Sequence, residues 1–195
     1  MASLYFYFSS MDSGKSTYLL QSAHNYESAG KRVLLLAPVI DDRFGVGRIT
    51  SRIGLQSEAV AISQSDDLKQ QIAREHSEDY IACVMVDEAQ FLTPEQVWQL
   101  SDVVDVLGIP VLCFGLRTDA FGKAFAGSEV LLSIADELTE LKSICKCCEK
   151  KANMQLRLDG DGKPVKSGSQ VQIGGNDRYL SVCRKHYKSM MGLGR

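Results

Sequence analysis

The stretch Ser9-Ser10-Met11-Asp12-Ser13-Gly14-Lys15-Ser16-Thr17 constrains this chain more than any other, because its Gly-Lys-Ser ending sits between a strand-like and a helix-like run. Leu4 to Phe8 contains only Leu, Tyr and Phe, which suits a buried parallel strand. Ser16 to Tyr26 has no Gly or Pro and many helix formers. A loop in that position surrounds phosphates with backbone N–H groups and a helix N-terminus; Lys15 would reach the terminal phosphates and the Ser16 hydroxyl would ligate magnesium. One departure stands out. The full pattern has Gly five residues before Gly14, and here that position is Ser9.

At 195 residues the chain can bury one good core, and a second, smaller unit would need a staple of its own. The formal net charge of −2 gives no general attraction to nucleic acid or to an anionic membrane. Met1 to Ser10 lacks the basic start and long apolar segment of a signal peptide or membrane span, so a cytoplasmic protein is expected. Of the six cysteines, Cys83 and Cys113 lie in apolar runs and read as buried thiols, while Cys145, Cys147, Cys148 and Cys183 gather late in the chain.

Taken in order, Gly30 is placed to cap the first helix, and Val33 to Ala37 is a second buried-strand candidate closed by Pro38, completing a β-α-β unit. Asp41 to Gln56 carries three glycines and three arginines without an apolar period, the pattern of a long loop whose Arg43, Arg48 and Arg52 could meet phosphate or simply be solvated. Ala59 to Ile62 is expected as a short strand and Asp66 to His76 as a helix capped by Ser65. Ile81 to Val86 is the clearest buried strand, and it delivers Asp87 and Glu88 to its C-terminal end. Thr93-Pro94-Glu95-Gln96 combines a capping Thr, a Pro at the first helical position and a Gln three residues after the cap. The helix it starts has an apolar face of Val97, Leu100, Val104 and Leu107 and ends at Gly108. A strand over Ile109 to Leu116, a short helix from Ser128 and a last strand over Leu138 to Ile144 follow. The alternation implies an α/β unit over 1–144 with a mainly parallel sheet and its ligands at the carboxyl ends of the strands. Past Ile144 the pattern becomes short strands, with Met154, Leu156 and Leu158 on one face and a turn at Asp159 to Gly162. That is a small β unit over 145–190, with 191–195 a tail.

A strand-end acid downstream of a phosphate loop is placed to hold magnesium, which is the expected role of Asp87 beside Ser16. Glu88 would then take a proton from an acceptor hydroxyl attacking a γ-phosphoryl group, or activate water for nucleotide hydrolysis. Cys145 and Cys148, like Cys183 and His186, are separated by two residues, the spacing of a closed four-ligand structural zinc site; Cys147 is the alternative to Cys148. Lys142, Lys146, Lys150, Lys151, Arg184, Lys185 and Lys188 crowd around this cluster and read as a solvated basic face rather than a nucleic-acid site.

The loop Ser9 to Thr17, the DEAQF run at Asp87 to Phe91, FGLRTD at Phe114 to Asp119 and IGGNDRYLSVCRKH at Ile173 to His186 together resemble the bacterial and cytosolic type of thymidine kinase over nearly the whole chain. The resemblance implies a homotetramer that transfers the γ-phosphoryl group of ATP to the 5′-hydroxyl of thymidine, a nucleoside salvage step for DNA synthesis. Its fold would be a P-loop domain like that of recombination ATPases joined to a zinc-ribbon-like lasso unit. By that similarity Glu88 is the catalytic base. ATP contacts fall on Ser9, Ser10, Met11, Asp12, Ser13, Gly14, Lys15 and Ser16 and on Asp87, Glu88, Ala89 and Gln90. Met11, Phe91, Leu116 and Tyr179 surround the nucleoside, and the backbone of Gln170, Val171, Gln172, Ile173 and Gly174 reads the thymine edge. Phe121 is left out of the site, because Ala120-Phe121 stands where the family more often has Phe directly after the Asp. Apart from the kinase, the same motifs admit a nucleotide hydrolase whose zinc unit grips a macromolecule, or a nucleotide-gated zinc interaction module.

Overall fold

The computed structural model describes residues 1–39, 47–170 and 178–193. In chain order its elements are β1 (Leu4–Ser9), α1 (Lys15–Ser28), β2 (Val33–Pro38), β3 (Arg48–Thr50), β4 (Gln56–Glu58), β5 (Val60–Ile62), α2 (Leu68–Glu78), β6 (Cys83–Val86), α3 (Pro94–Leu107), β7 (Val111–Leu116), α4 (Ala126–Ile134), β8 (Glu137–Glu140), β9 (Ser143–Ile144), β10 (Lys151–Ala152), β11 (Met154–Leu158), β12 (Arg178–Val182) and α5 (Arg184–Met191). A 3-10 turn, Ala89–Phe91, follows β6.

Six strands form one sheet in the order β5-β2-β6-β7-β1-β8, and every pair in it is parallel. The period of two divides its residues between two cores. Leu4 and Phe6 of β1, Leu34 and Leu36 of β2, and Val84 and Val86 of β6 pack with α2, α3 and α4. Tyr5, Tyr7, Leu35, Cys83, Met85 and Phe114 face Leu19, Leu20 and Ala23 of α1. With helices on both faces, parallel strands can be apolar throughout, which is why these runs showed no alternation. The register brings Ser9 opposite Leu116 and Val86 opposite Cys113, so β1, β7 and β6 end side by side.

The Thr93 capping box forms as expected: Gln96 N–H donates to Thr93 Oγ1 and Thr93 N–H to Gln96 Oε1, both at 3.2 Å. Gln96 Nε2 also donates to the Ser63 carbonyl at 2.7 Å, tying the start of α3 to the turn before α2. Several expectations are corrected. Helix α2 is capped by Asp67, which accepts from Gln70 N–H, because the Ser65 hydroxyl is engaged with Ser63. Part of the expected loop 41–56 is a hairpin, β3 against β4, while 40–46 with Arg43 lie outside the described residues. The expected strand 138–144 is split, β8 extending the main sheet and β9 pairing with β10. Finally, the turn at Asp159 to Gly162 returns only an isolated bridge to Pro164, and the partner of β11 is the distant β12.

Helix α4 starts at Ala126 instead of Ser128, which places Gly127 in its first turn. A Cβ there would lie 2.7 Å from the Ala89 carbonyl oxygen and 2.8 Å from that of Leu92, so α4 closes on the 3-10 turn only through glycine. Gly127→Ala should cost about 1–3 kcal/mol in urea unfolding, the range for overpacking a close-fitted interior. Gly160→Ala, where a Cβ meets nothing within 4 Å, should stay within about 0.5 kcal/mol of the parent.

Candidate functional site

The chain leaves β1 at Ser9, turns through Asp12 and Gly14, and enters α1 at Lys15. Among the described residues, Asp12 (φ 59°) and Glu88 (φ 48°) are the two non-glycine residues with left-handed backbone, and both border the same cavity. Such conformations cost energy and persist where the surroundings enforce them. Lys15 is buried, with its amino group donating to Ser9 Oγ at 3.2 Å and to the Ser10 carbonyl at 3.1 Å. Burial lowers its pKa, while the carboxylates of Glu88, Asp87 and Asp12 pull it back up. Ser9, which stands where the pattern has Gly, thus supplies a hydroxyl to the lysine and also contacts the Ser13 hydroxyl.

The Ser16 hydroxyl donates to Asp87 Oδ2 at 2.9 Å, and the Glu88 N–H donates to Oδ1 at 3.0 Å. The two residues expected to share magnesium are therefore in contact. Burial raises the Asp87 pKa to about 7, the Glu88 charge adds to the rise, and Ser16, the Glu88 N–H and Lys15 oppose it. The Glu88 carboxylate accepts from Gln90 Nε2, and Gln90 Oε1 accepts from Leu116 N–H at 2.9 Å. The end of β7 thereby orients the amide that orients Glu88.

A cavity of about 380 Å³ opens over these groups. Of the expected nucleoside residues, Met11, Phe91, Leu116, Gln170 and Tyr179 all line it, together with Asp12 to Ser16, Asp87, Glu88 and Gln90. Ser9 and Ser10 are buried and do not line it, and Ala89 is packed in the core. Val171, Gln172, Ile173 and Gly174 lie outside the described residues. Phe125 and Gln155 escaped the sequence reading; Arg48 and Arg52, expected either to meet phosphate or to be solvated, line the cavity with the rest of 48–53, and so does Asp119 at the end of the FGLRTD run. Phe125 meets Phe91 edge-on, with ring centroids 5.8 Å apart, whereas Phe121 sits under the Arg157 guanidinium and does not line the cavity. Asp119 accepts from Gln170 Nε2 at 3.2 Å. Arg52 reaches Asp12 at 2.5 Å, and Arg48 lines the cavity.

Cys145, Cys148, Cys183 and His186 bring their ligand atoms within 4.8 Å of one another, a group that includes Cys148 and not Cys147. Cys147 is exposed and only donates its N–H to Cys145 Sγ. Cys183 Sγ and Cys145 Sγ lie 3.3 and 3.5 Å from His186 Nδ1, and Cys148 Sγ lies 3.9 Å from Cys183 Sγ. Bonds of ~2.3 Å to a tetrahedral ion would separate sulfur ligands by about 3.8 Å, so the cluster can hold a metal ion. Burial raises the pKa of the Cys145 thiol, but N–H groups of Cys183 and Cys147, with His186, more than offset it and bring the thiol to about 6. Cys83 and Cys113 are free thiols raised by burial.

Asp87 carries a consequence for the protein without magnesium or nucleotide. Below the ordinary value of 3.8 its carboxyl is protonated in both folded and unfolded chains. Between there and about 7 the unfolded chain ionises while the folded one retains its proton, so stability falls as pH rises through that window. In magnesium-free buffer Asp87→Asn should therefore melt above the parent at pH 8, with the gap closing toward pH 4.

The thymidine kinase family model matches residues 2–187. The thymidine kinase of Idiomarina loihiensis is 55% identical over 193 residues, covering 99% of this chain and 100% of the relative. That of Photobacterium profundum is 55% identical over 192 residues, 98% of this chain and 100% of its own. That of Escherichia coli O157:H7 is 56% identical over 194 residues, 100% of this chain and 94% of its own. A strand-end phosphate loop, an acidic pair bonded to it, a cavity walled by Phe91 and Phe125 and a Cys₃His cluster agree with these likenesses, and the chain belongs to the thymidine kinase family.

Proposed function

We propose that this enzyme transfers the γ-phosphoryl group of ATP to the 5′-hydroxyl of thymidine, with Glu88 as general base. The observation that carries the reading is the step from Asp87 to Glu88. Asp87 is bonded to Ser16 of the phosphate loop, while Glu88 faces the cavity that Phe91, Leu116, Met11 and Tyr179 line. A base there lies between a phosphate site and a pocket for a flat, partly apolar ligand. Glu88 accepts the hydroxyl proton, and the Gln90 amide keeps its carboxylate oriented. Lys15 and the loop N–H groups bind the β- and γ-phosphates and offset the charge shifting between them. Ser16 and Asp87 are the residues that would hold magnesium, whose bound charge screens the phosphates. The backbone of Gln170 to Gly174 reads the thymine edge, with the Gln170 side chain anchored on Asp119.

The Cys₃His cluster holds structural zinc in the unit 145–190, beside the ATP-binding unit 1–144. Four protein ligands leave no open position for chemistry. Such a thiol set stays reduced in the cytoplasm, where we place the reaction, and the family resemblance supports a homotetramer. No helix among the described residues is long and apolar enough to cross a membrane.

Glu88→Gln keeps shape and hydrogen bonding but cannot accept a proton, so thymidine-dependent ATP consumption should fall by about 10²- to 10⁴-fold with thymidine affinity nearly unchanged. Near-normal turnover would end the general-base assignment, and ATP consumption independent of thymidine in the parent would point to a hydrolase. Metal analysis of protein purified without chelator or added zinc should find one zinc per chain. Cys183→Ser should lose it and Cys147→Ser should keep it.

A further inference from the structure

We propose that Gln155 and Ser181, on the antiparallel pair of β11 and β12, are positioning residues for nucleotide binding: they grip both backbone polar groups of Met11 and so preset the phosphate loop. The inference rests on the reading of Ser9 to Thr17 as the ATP site. The Met11 N–H donates to Gln155 Oε1 at 3.2 Å, and Ser181 Oγ donates to the Met11 carbonyl at 2.7 Å. These contacts join residues 144 and 170 positions apart in sequence. Gln155 and Ser181 are direct cross-strand partners, so one rung of one ladder supplies both. They are 3% and 1% exposed, Gln155 Nε2 donates to the Thr118 carbonyl at 2.9 Å, and the Ser181 carbonyl accepts from Lys146 N–H at 3.0 Å.

The grip falls where the loop needs support. Asp12, the next residue, is held at φ 59°, a conformation that an L-residue leaves unless its neighbours enforce it. The peptide between Met11 and Asp12 is a rigid plane with C=O and N–H on opposite sides. With its carbonyl fixed on Ser181, its N–H is directed away from that strand pair. Asp12 at φ 59° and Gly14 at φ 81° then give the backbone the left-handed turns from which anion-receiving concavities are made. A loop without the grip would have to be ordered by the nucleotide itself, and that cost would appear as weaker binding.

The test is equilibrium binding of Mg-ATP to the metal-loaded full chain in four forms: parent, Lys15→Ala, Ser181→Ala and Gln155→Met. Each of the last two removes a grip on Met11 with little change of shape. Each should weaken Mg-ATP binding by about 5- to 10-fold, the worth of one buried hydrogen bond, with metal content and cooperative unfolding retained. A purely structural role would lower the melting temperature and leave ATP affinity at the parent value. That result, alongside lost binding in Lys15→Ala, overturns the inference. Unchanged affinity in Lys15→Ala would instead show that the phosphate loop reading is wrong, and the inference would fall with it.

Discussion

The site depends on the hydrogen bond from Ser16 to Asp87, which joins the first turn of α1 to the end of β6 across the strand between them. In the sheet order, β7 separates β6 from β1, so the acidic pair and the phosphate loop meet across the end of β7. Gly115 makes room there for Gln90. A Cβ there would lie 2.9 Å from Gln90 Oε1 and 3.0 Å from Gln90 N, displacing the residue that bridges Leu116 to Glu88. Three adjacent parallel strands thus each give one part: β1 the loop, β6 the acids, and β7 a bare backbone and one N–H.

The arrangement is stable as a fold and costly as a site. Around it Val86, Ala89 and Cys113 are fully buried, so the charge on Asp87 is poorly solvated and must be matched by hydrogen bonds, Lys15 or a bound cation. Asp12 and Glu88 add backbone strain at the same place. Neither would survive in an isolated loop; the sheet below holds them, and beside Asp12 the pair of β11 and β12 bonds Met11. Cost concentrated where charge must later be balanced is what electrostatic preorganisation requires.

Local chemistry was legible in the sequence wherever a residue's role depends on neighbours a few positions away. The loop ending at Ser16, the box of Thr93 and Gln96, the acids after β6 and the paired spacings of Cys145, Cys148, Cys183 and His186 are all of that kind. What was not legible depends on distant partners. Ser65 and Asp67 are both capping residue types, and only the engagement of Ser65 with Ser63 decides between them. Strands β3 and β4 have three residues each, too few for a period to show. Nothing near Gly127 reveals that the carbonyls of Ala89 and Leu92 will lie against it. Phe125 and Gln155 enter the cavity singly, without a motif, through a loop and a strand that the fold brings together.

The small unit shows why its metal ligands and its packing cannot be separated. Its core is formed by Cys145, Ala152, Leu156, Val182, Cys183 and Tyr187, so two of the six buried residues are themselves members of the Cys₃His cluster. A core this small does not offset the entropy of ordering the chain, and an ion held by the cluster would supply the missing constraint. Its attachment to the main sheet is equally economical: the Tyr187 hydroxyl donates to the Ala120 carbonyl at 3.1 Å, and a Cβ at Gly122 would come within 3.2 Å of that hydroxyl oxygen. Tyr179 lies on β12 three residues before Val182, and the ladder with β11 fixes it opposite Arg157. The pose of that cavity wall is therefore set by the ladder that runs into Cys183, and an ion held by the cluster, with no open position for chemistry, would still bear on the shape of the cavity.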